Sequence, residues 1–200
     1  MVYAIKEFTI GEGILSPKNT RKGHWRNWGK LLKEIDITNP QGAIFSEDMK
    51  YRYALWRIWS RARPILMCIG LNPSKAGAII SDPTVTRGCI RADREGFGGF
   101  FMGNLYALVS TDPKELLTNG LFGWAVGELT DYYLLQMINL SSKHLCAWGS
   151  FKPVTYRAPT VLKMIPEPYC LGVNSDGQPK HPLYVGYNVA MSRYNNGRLE

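Results

Sequence analysis

The sequence predicts an α/β fold of three layers, in which helices cover both faces of a mainly parallel, four-stranded central sheet. Two observations lead to this prediction. Short apolar runs that suit strands buried on both faces alternate with stretches that suit helices. Each apolar run also ends abruptly at polar or turn-forming residues. Right-handed crossovers between parallel strands would bring all of these ends to one edge of the sheet.

The central strand is predicted at residues 65–71, a continuous apolar run. The strand must stop at Asn72, because Pro73 cannot continue a hydrogen-bonded ladder. Gly70 allows another group to approach the backbone closely. Ligands of open α/β sheets bind at the carboxyl ends of the strands, so Gly70, Asn72, Pro73 and Ser74 are candidate site residues.

A helix is predicted to follow this turn. Ser81 or Asp82 can cap it, and Pro83 suits its first turn. Its N-terminus, near Thr84, would offer free N–H groups to an anion. Three arginines share one face of the helix: Arg87, Arg91 and Arg94. Such a stripe usually faces solvent, and Arg87 is also retained as a candidate ligand-binding residue.

Three more strands of the central sheet are predicted at residues 99–105, 144–148 and 169–173. Helices are predicted near 113, at 121–140 and at 157–164. The turn at 174–177 follows the last strand. Candidate ligand-binding residues lie at or beyond these strand ends: Asn104, Tyr106, Trp148, Gly149 and Asp176.

The chain is predicted to be a single domain of 1–200. Residues 1–50 form an N-terminal β extension, 51–187 the core and 188–200 a polar tail that frays. Alternation over 51–59 predicts a further strand, which contains Arg52 on the same face as Trp56.

The net charge of +8 indicates a surface that binds polyanions, although a basic surface without such a role has the same charge. Cations and indole rings are interleaved in one N-terminal stretch, which suits phosphate contacts and base stacking. The candidate nucleic-acid-binding residues are Lys18, Arg21, Lys22, Trp25 and Arg26. The alternative is a surface arm whose tryptophans pack on the domain.

The four cysteines show no CxxC spacing and no flanking histidine cluster, so no metal site and no cofactor are predicted. We expect them to be reduced and mostly buried, which indicates the cytoplasm. The N-terminus does not have the pattern of a signal peptide, and no apolar run reaches membrane-spanning length. The expected partner is a nucleic acid or nucleotide, and no membrane partner is expected.

Several short motifs carry a resemblance to a known family, domain of unknown function 1643, which comprises uncharacterised bacterial and phage proteins. The motifs are LNPSKAG (71–77), DPT (82–84), NLYAL (104–108), TDP (111–113), AWG (147–149) and HPLY (181–184). They run in one order over about 51–184. The resemblance implies a family but no activity.

The chain is more distantly similar to the uracil-DNA glycosylase superfamily. The shared features are Gly70-Leu71-Asn72-Pro73, Asn104 at a strand end, Trp148-Gly149 and the late His181-Pro182. This resemblance implies the superfamily fold, with Asn72 positioning water, Asn104 reading the edge of a base and His181 stabilising charge on the departing base. Tyr106 or Phe101 would stack on the base. The late motif ends in Tyr184 and lacks the serines that bind phosphate in the superfamily.

The predicted function is recognition of a nucleic-acid base or nucleotide in the strand-end cleft. If the protein is an enzyme, it would be a hydrolase that cleaves an N-glycosidic bond, or a base-modifying enzyme, with Asn72, Asp82 and His181 as catalytic candidates. The alternative is a non-catalytic nucleotide- or nucleic-acid-binding protein, which the amide at Asn72 favours. Asp112 and Asp176 weigh against that alternative as further acid–base candidates. A GxSxG elbow, a Walker A loop and a GxGxxG fingerprint are absent.

Overall fold

The computed structural model describes residues 32–74, 82–120, 122–195 and 197–199. Contacts divide the chain into two units, Met1–Glu34 and Ile35–Glu200. Of the first unit, residues 32–34 are described, and they form no regular secondary structure. The second unit contains the sheet and helices described below.

The described part of the second unit contains eight strands in one sheet. In chain order they are β1 (Gln41–Phe45), β2 (Arg52–Ile58), β3 (Ile65–Gly70), β4 (Gly99–Asn104), β5 (Lys143–Cys146), β6 (Pro168–Cys170), β7 (Ser192–Asn195) and β8 (Arg198–Leu199). Their order across the sheet is β1-β2-β4-β3-β5-β6-β7-β8. The crossovers between β3, β4 and β5 therefore place β3 between two strands that follow it in the chain.

The prediction of a mainly parallel, four-stranded sheet is wrong. The sheet has eight strands, and four of its seven pairings are antiparallel. The three parallel pairings join β3 to β4, β3 to β5 and β5 to β6. Antiparallel strands extend the sheet on both sides because β2 pairs with β4, and β7 pairs with β6. Strands β7 and β8 are short and polar, so the sequence contained no apolar run to indicate them. The tail, predicted to fray, forms these two strands, and its Tyr194 is buried.

Four helices accompany the sheet in the described residues: α1 (Pro83–Arg94), α2 (Phe122–Val126), α3 (Thr130–Leu140) and α4 (Val154–Leu162). Two 3₁₀ segments span Pro113–Gly120 and Pro182–Tyr184. The single helix predicted at 121–140 is interrupted between α2 and α3, where Gly127 adopts a φ of 79° that favours glycine. Helix α4 begins three residues before the predicted start at 157.

The two faces of the sheet carry separate apolar clusters, because side chains alternate along each strand. Leu66 and Cys68 of β3 pack on the face that α1 covers, and Met67 and Ile69 pack on the face that α3 and α4 cover. Gly88 lets α1 approach β4 closely, since a Cβ there would lie 2.3 Å from the Phe100 ring. Helix α1 therefore begins next to the carboxyl end of β3 and lies flat on one face.

Two arginines of the α1 stripe, Arg87 and Arg91, donate hydrogen bonds to the chain segment 185–189. The prediction that the stripe faces solvent is therefore wrong for these two residues. The Arg91 guanidinium is 2% exposed and donates to the carbonyls of Gly186 and Val189, at 2.7 Å each. Arg87 donates to the Val185 carbonyl at 2.8 Å, and its guanidinium lies 4.4 Å from the centroid of the Tyr187 ring. Part of the positive charge of the chain is therefore used within the fold.

Another buried arginine ties α3 and α4 to the turn after β4. The Arg157 Nε donates to the Leu105 carbonyl at 3.0 Å, and its guanidinium forms an ion pair with Asp131. This cluster lies on the face opposite α1. Within the described ranges, no helix combines the length and apolar character needed to cross a membrane. The cytoplasmic location stays a prediction.

Candidate functional site

The carboxyl ends of β4, β3 and β5 lie side by side at one edge of the sheet. Gly70 and Asn104 are partners in the parallel register, and Ile69 is opposite Cys146. The Leu105 N–H donates to the Gly70 carbonyl at 2.9 Å, so the β4 turn stays attached to β3 after both strands have ended. The start of α1 lies at the same edge, because the Ser74 hydroxyl, beyond the end of β3, donates a hydrogen bond to Asp82.

Asn104 is the central residue of this edge. Its side chain is 3% exposed, and neither Oδ1 nor Nδ2 has a hydrogen-bond partner in the described structure. It lies on the α1 face, because it follows Met102 at an interval of two along β4. Leaving a buried polar group unpaired costs about 1–3 kcal/mol. A residue that carries this cost without serving the packing is a candidate for ligand contact.

Gly70 lies directly beside this amide. A Cβ at Gly70 would lie 3.0 Å from Asn104 Oδ1 and 2.7 Å from the Met102 methyl group. Any side chain larger than hydrogen would therefore crowd the amide. The predicted role of Gly70, to permit close approach to the backbone, agrees with this geometry.

Asp82 joins the turn after β3 to the start of α1. Its Oδ1 accepts a hydrogen bond from the Val85 N–H at 2.8 Å, which makes it the N-cap. Its Oδ2 accepts a hydrogen bond from the Ser74 hydroxyl. Thr84 is half-buried in the first turn that follows. Both oxygens of the Asp82 carboxylate are thus engaged by the protein, while Ser81, the other predicted cap, lies outside the described residues.

Arg52 is a charged residue of this region that the sequence reasoning did not select. It opens β2 next to β4, on the α1 side, with 2% of its side chain exposed. Burial lowers the pKa of Arg52 to about 10, and the negative charge of Asp82 opposes that shift. Arg52 and Arg57 are the two charged residues of a strand that is otherwise uncharged, and this was the signal that could have identified Arg52.

His181 approaches the same edge from the loop before the second 3₁₀ segment. A Cβ at Gly149 would lie 3.6 Å from the His181 Cβ, so these two predicted residues are neighbours. The His181 Nδ1 accepts a hydrogen bond from the Leu183 N–H at 3.4 Å, which leaves the proton of the neutral ring on Nε2. Burial lowers the pKa of His181, and the charge of Asp82 opposes the shift. The ring is therefore a neutral Nε2–H donor.

Asn72 has a structural task. Its Nδ2 donates to the Ser110 carbonyl at 3.0 Å and lies within reach of the Pro73 and Leu108 carbonyls. Pro73 supports the same loop, because its carbonyl accepts the Ser110 N–H at 2.9 Å. These contacts fix the orientation of the amide. Its Oδ1 can accept a hydrogen bond from water, but the amide cannot serve as a general base.

Three predicted ligand-binding residues have side chains that are engaged in other contacts. The Tyr106 side chain is fully buried and donates its hydroxyl to the Pro153 carbonyl at 2.8 Å, and burial raises its pKa to about 12. Trp148 is buried on the α4 face and donates to Gln178 Oε1 at 2.9 Å. The Asp176 carboxylate accepts a hydrogen bond from the Ser150 hydroxyl at 2.8 Å. Tyr106 and Trp148 each lie two residues beyond a strand, and their side chains belong to the cluster on the face opposite α1, a direction that the sequence pattern did not predict.

The two aromatic rings expected to stack on a base, Phe101 and Tyr106, do not face the strand-end edge. Both are fully buried in the cluster on the α3 face. Tyr184 is 86% exposed, with its ring centroid 5.7 Å from that of His181. Of the predicted residues, Tyr184 is thus the exposed aromatic that accompanies the histidine.

The predicted nucleic-acid-binding residues of the N-terminal stretch lie outside the described residues: Lys18, Arg21, Lys22, Trp25 and Arg26. Among the residues that are described, no group of three or more His, Cys, Asp or Glu could hold a metal ion. The four cysteines are free thiols, and Cys68, Cys146 and Cys170 are buried.

A cavity of about 420 Å³ lies elsewhere, between α4 and the turn that contains Asp176. Val154, Ala158 and Leu162 form its apolar wall, and Gln178 and Arg198 contribute polar groups. Its lining does not include Asn104, Asp82 or His181. We assign the candidate site to the strand-end edge because this edge contains a buried amide with no hydrogen-bond partner among the described residues, a capped helix start and a neutral histidine.

Comparison with models of known protein families identifies the family of this chain. The model of the family described as "Protein of unknown function (DUF1643)" matches residues 52–183, and the chain belongs to this family. The match confirms the resemblance carried by the LNPS, DPT and HPLY motifs. A search of curated proteins and a search of solved structures found no match. The similarity to uracil-DNA glycosylases is not shown by these comparisons.

Proposed function

We propose that the strand-end cleft binds a nucleobase, either free or as part of a nucleotide or nucleic acid, and that Asn104 pairs with its edge. The observation that carries this proposal is the buried Asn104 side chain, whose Oδ1 and Nδ2 both have no partner in the described structure. A carboxamide offers an acceptor beside a donor, which matches the adjacent carbonyl and N–H of a base. Two such hydrogen bonds would offset the cost of burying the amide.

The surroundings of Asn104 support a flat, polar ligand. Gly70 has no side chain, so the Asn104 amide can lie against its backbone without crowding. The neutral His181 ring supplies an N–H donor that can bond a base carbonyl, and the exposed Tyr184 ring lies next to it. A ligand with a carbonyl and an N–H on its edge would use both groups.

Binding is better supported than hydrolysis. Hydrolysis of an N-glycosidic bond requires a group that activates water, and a free carboxylate is the usual choice. Asn72 is an amide, and both oxygens of Asp82 accept hydrogen bonds from the protein. The second candidate function, cleavage of an N-glycosidic bond, is supported by the His181 Nε2–H, which could stabilise negative charge on a departing base.

Isothermal titration with the five common nucleobases and their nucleosides tests the binding proposal. We expect at least one base to bind the wild-type chain, and Asn104→Asp to weaken it about tenfold or more, because a carboxylate cannot donate to the base carbonyl. Asn139→Asp, at an exposed position of α3, makes the same change without affecting binding. Wild-type protein that binds no base, or an Asn104→Asp variant that binds as well as wild type, contradicts the proposal.

The hydrolytic candidate has a separate assay. Single-stranded oligonucleotides containing each base, including uracil, are incubated with the protein, and released base is quantified by chromatography. If the chain is a glycosylase, we expect release from one substrate and a loss of about a hundredfold in His181→Ala. Base binding without release of any base contradicts the hydrolytic candidate.

A further inference from the structure

We propose that the strand-end cleft selects the uncharged base or nucleoside portion of its ligand and rejects a phosphate group, because Asp82 supplies the anion at the start of α1. This inference rests on the proposed function for the identity of the ligand, but its electrostatic part can be tested without it. It also corrects the expectation that the N-terminus of α1 would offer free N–H groups to an anion.

The first argument concerns the backbone donors at the start of α1. A helix of 12 residues carries partial positive charge at its N-terminus, and bound phosphates usually take several N–H groups there. Pro83 has no N–H, and the Val85 N–H donates to Asp82 Oδ1 at 2.8 Å. Between Pro83 and Val85, this leaves the Thr84 N–H alone for a ligand. A single donor is a poor phosphate site.

The second argument concerns charge. The buried cation of Arg52 and the ring of His181 both sense the negative charge of Asp82. One buried cation, one carboxylate and one neutral imidazole sum to no net charge. A phosphate placed here would lie near the carboxylate in a medium of low dielectric constant, where repulsion between like charges is strong. The electrostatics of this group therefore favour a neutral ligand.

The third argument concerns hydrogen-bond complementarity. A phosphate oxygen only accepts hydrogen bonds, so it could satisfy Asn104 Nδ2 but would leave Oδ1 buried and unpaired. A base edge that contains both a carbonyl and an N–H satisfies both atoms. In a nucleic acid or nucleotide, the phosphate would have to be bound outside this cleft.

Asp82→Asn tests the electrostatic part directly. Asparagine is as good an N-cap as aspartate, so the start of α1 is retained while one negative charge is removed. We expect inorganic phosphate to bind this variant about tenfold more tightly than wild type, because the negative charge at the start of α1 is removed while the partial positive charge of the helix N-terminus remains. Asp48→Asn is the matched control, since Asp48 is exposed and its Oδ1 accepts the Lys50 N–H at 3.2 Å. We expect the control to leave phosphate binding unchanged.

Titration of wild-type protein with each nucleoside and its 5′-monophosphate tests the ligand class. We expect the nucleoside to bind at least as tightly as the monophosphate. The inference is overturned if the monophosphate binds about tenfold more tightly than the nucleoside, or if Asp82→Asn gains no phosphate affinity over Asp48→Asn. Asp82→Ser, also a good cap without charge, replaces Asp82→Asn if circular dichroism shows that the latter is unfolded. If no nucleoside binds but Asp82→Asn gains phosphate affinity, the base-binding proposal fails and the charge argument stands.

Discussion

Gly70 and Asn104 end neighbouring parallel strands, and the missing side chain of the first leaves space for the amide of the second. A Cβ at Gly70 would come within 3.0 Å of Asn104 Oδ1 and 2.7 Å of the Met102 methyl group. The pair thus combines a backbone without a side chain and a buried carboxamide that has no hydrogen-bond partner among the described residues. This arrangement is costly for stability and useful for binding, which is the pattern expected of a functional site.

Gly70→Ala should weaken ligand binding and destabilise the fold moderately. The new methyl group would crowd the Asn104 amide and Met102, and overpacking of this kind costs about 1–3 kcal/mol. Urea denaturation measures the change in free energy of unfolding, and titration measures binding. Gly123→Ala is the control, because a Cβ there meets no atom within 4 Å. If the two variants have the same free energy of unfolding and the same ligand affinity, the space at Gly70 has no role in stability or binding.

Asn104→Leu should stabilise the protein and abolish binding of a base. Leucine has a similar size and no polar atoms, so the cost of burying an unpaired amide disappears, and the free energy of unfolding should rise by about 1–2 kcal/mol. Chemical denaturation measures this gain. Asn139→Leu, on the exposed surface of α3, should change stability by less than about 0.5 kcal/mol. Strong destabilisation by Asn104→Leu would mean that the amide serves the fold.

Arg91→Met should loosen the segment 185–189. The guanidinium donates to two carbonyls of that segment from a buried position, and hydrogen bonds to charged groups contribute about 1.5–3 kcal/mol each. We expect a lower midpoint in urea and faster amide hydrogen exchange across 185–189. Arg94→Met is the control, because Arg94 is exposed and contacts the segment through the Tyr187 ring alone, at 4.6 Å from its centroid. Its cost should stay below about 1 kcal/mol.

His181 should make the stability of the protein fall as the pH is lowered. Burial lowers its pKa below the ordinary value of 6.5, so the unfolded chain takes up a proton before the folded chain does. The free energy of unfolding is therefore unaffected by this group above pH 6.5 and decreases as the pH falls from 6.5 through the lowered folded pKa. His181→Gln should reduce this slope. NMR titration of the His181 ring measures its pKa directly, and a value at or above 6.5 would contradict the assignment.

The local chemistry of the sequence determined the central strand, its end and the cap of the helix that follows. An uninterrupted apolar run made β3 predictable, Pro73 ended it, and Asp82 before Pro83 marked the start of α1. These features depend on residues close together in the chain, where backbone geometry and hydrogen bonding act locally. The order of the short motifs also identified the family that matches residues 52–183.

Which residues share a surface was decided by the tertiary structure. Asn104 ends a strand, and Tyr106 and Trp148 lie just beyond strand ends. The side chains of Tyr106 and Trp148 nevertheless pack in the cluster on the face opposite Asn104, because the pairing of the strands sets the direction of each side chain. The burial of Arg52 arises in the same way, from the antiparallel addition of β2 to β4. Such pairings join residues that are distant in the chain, and their free energy comes from packing that a local pattern does not encode.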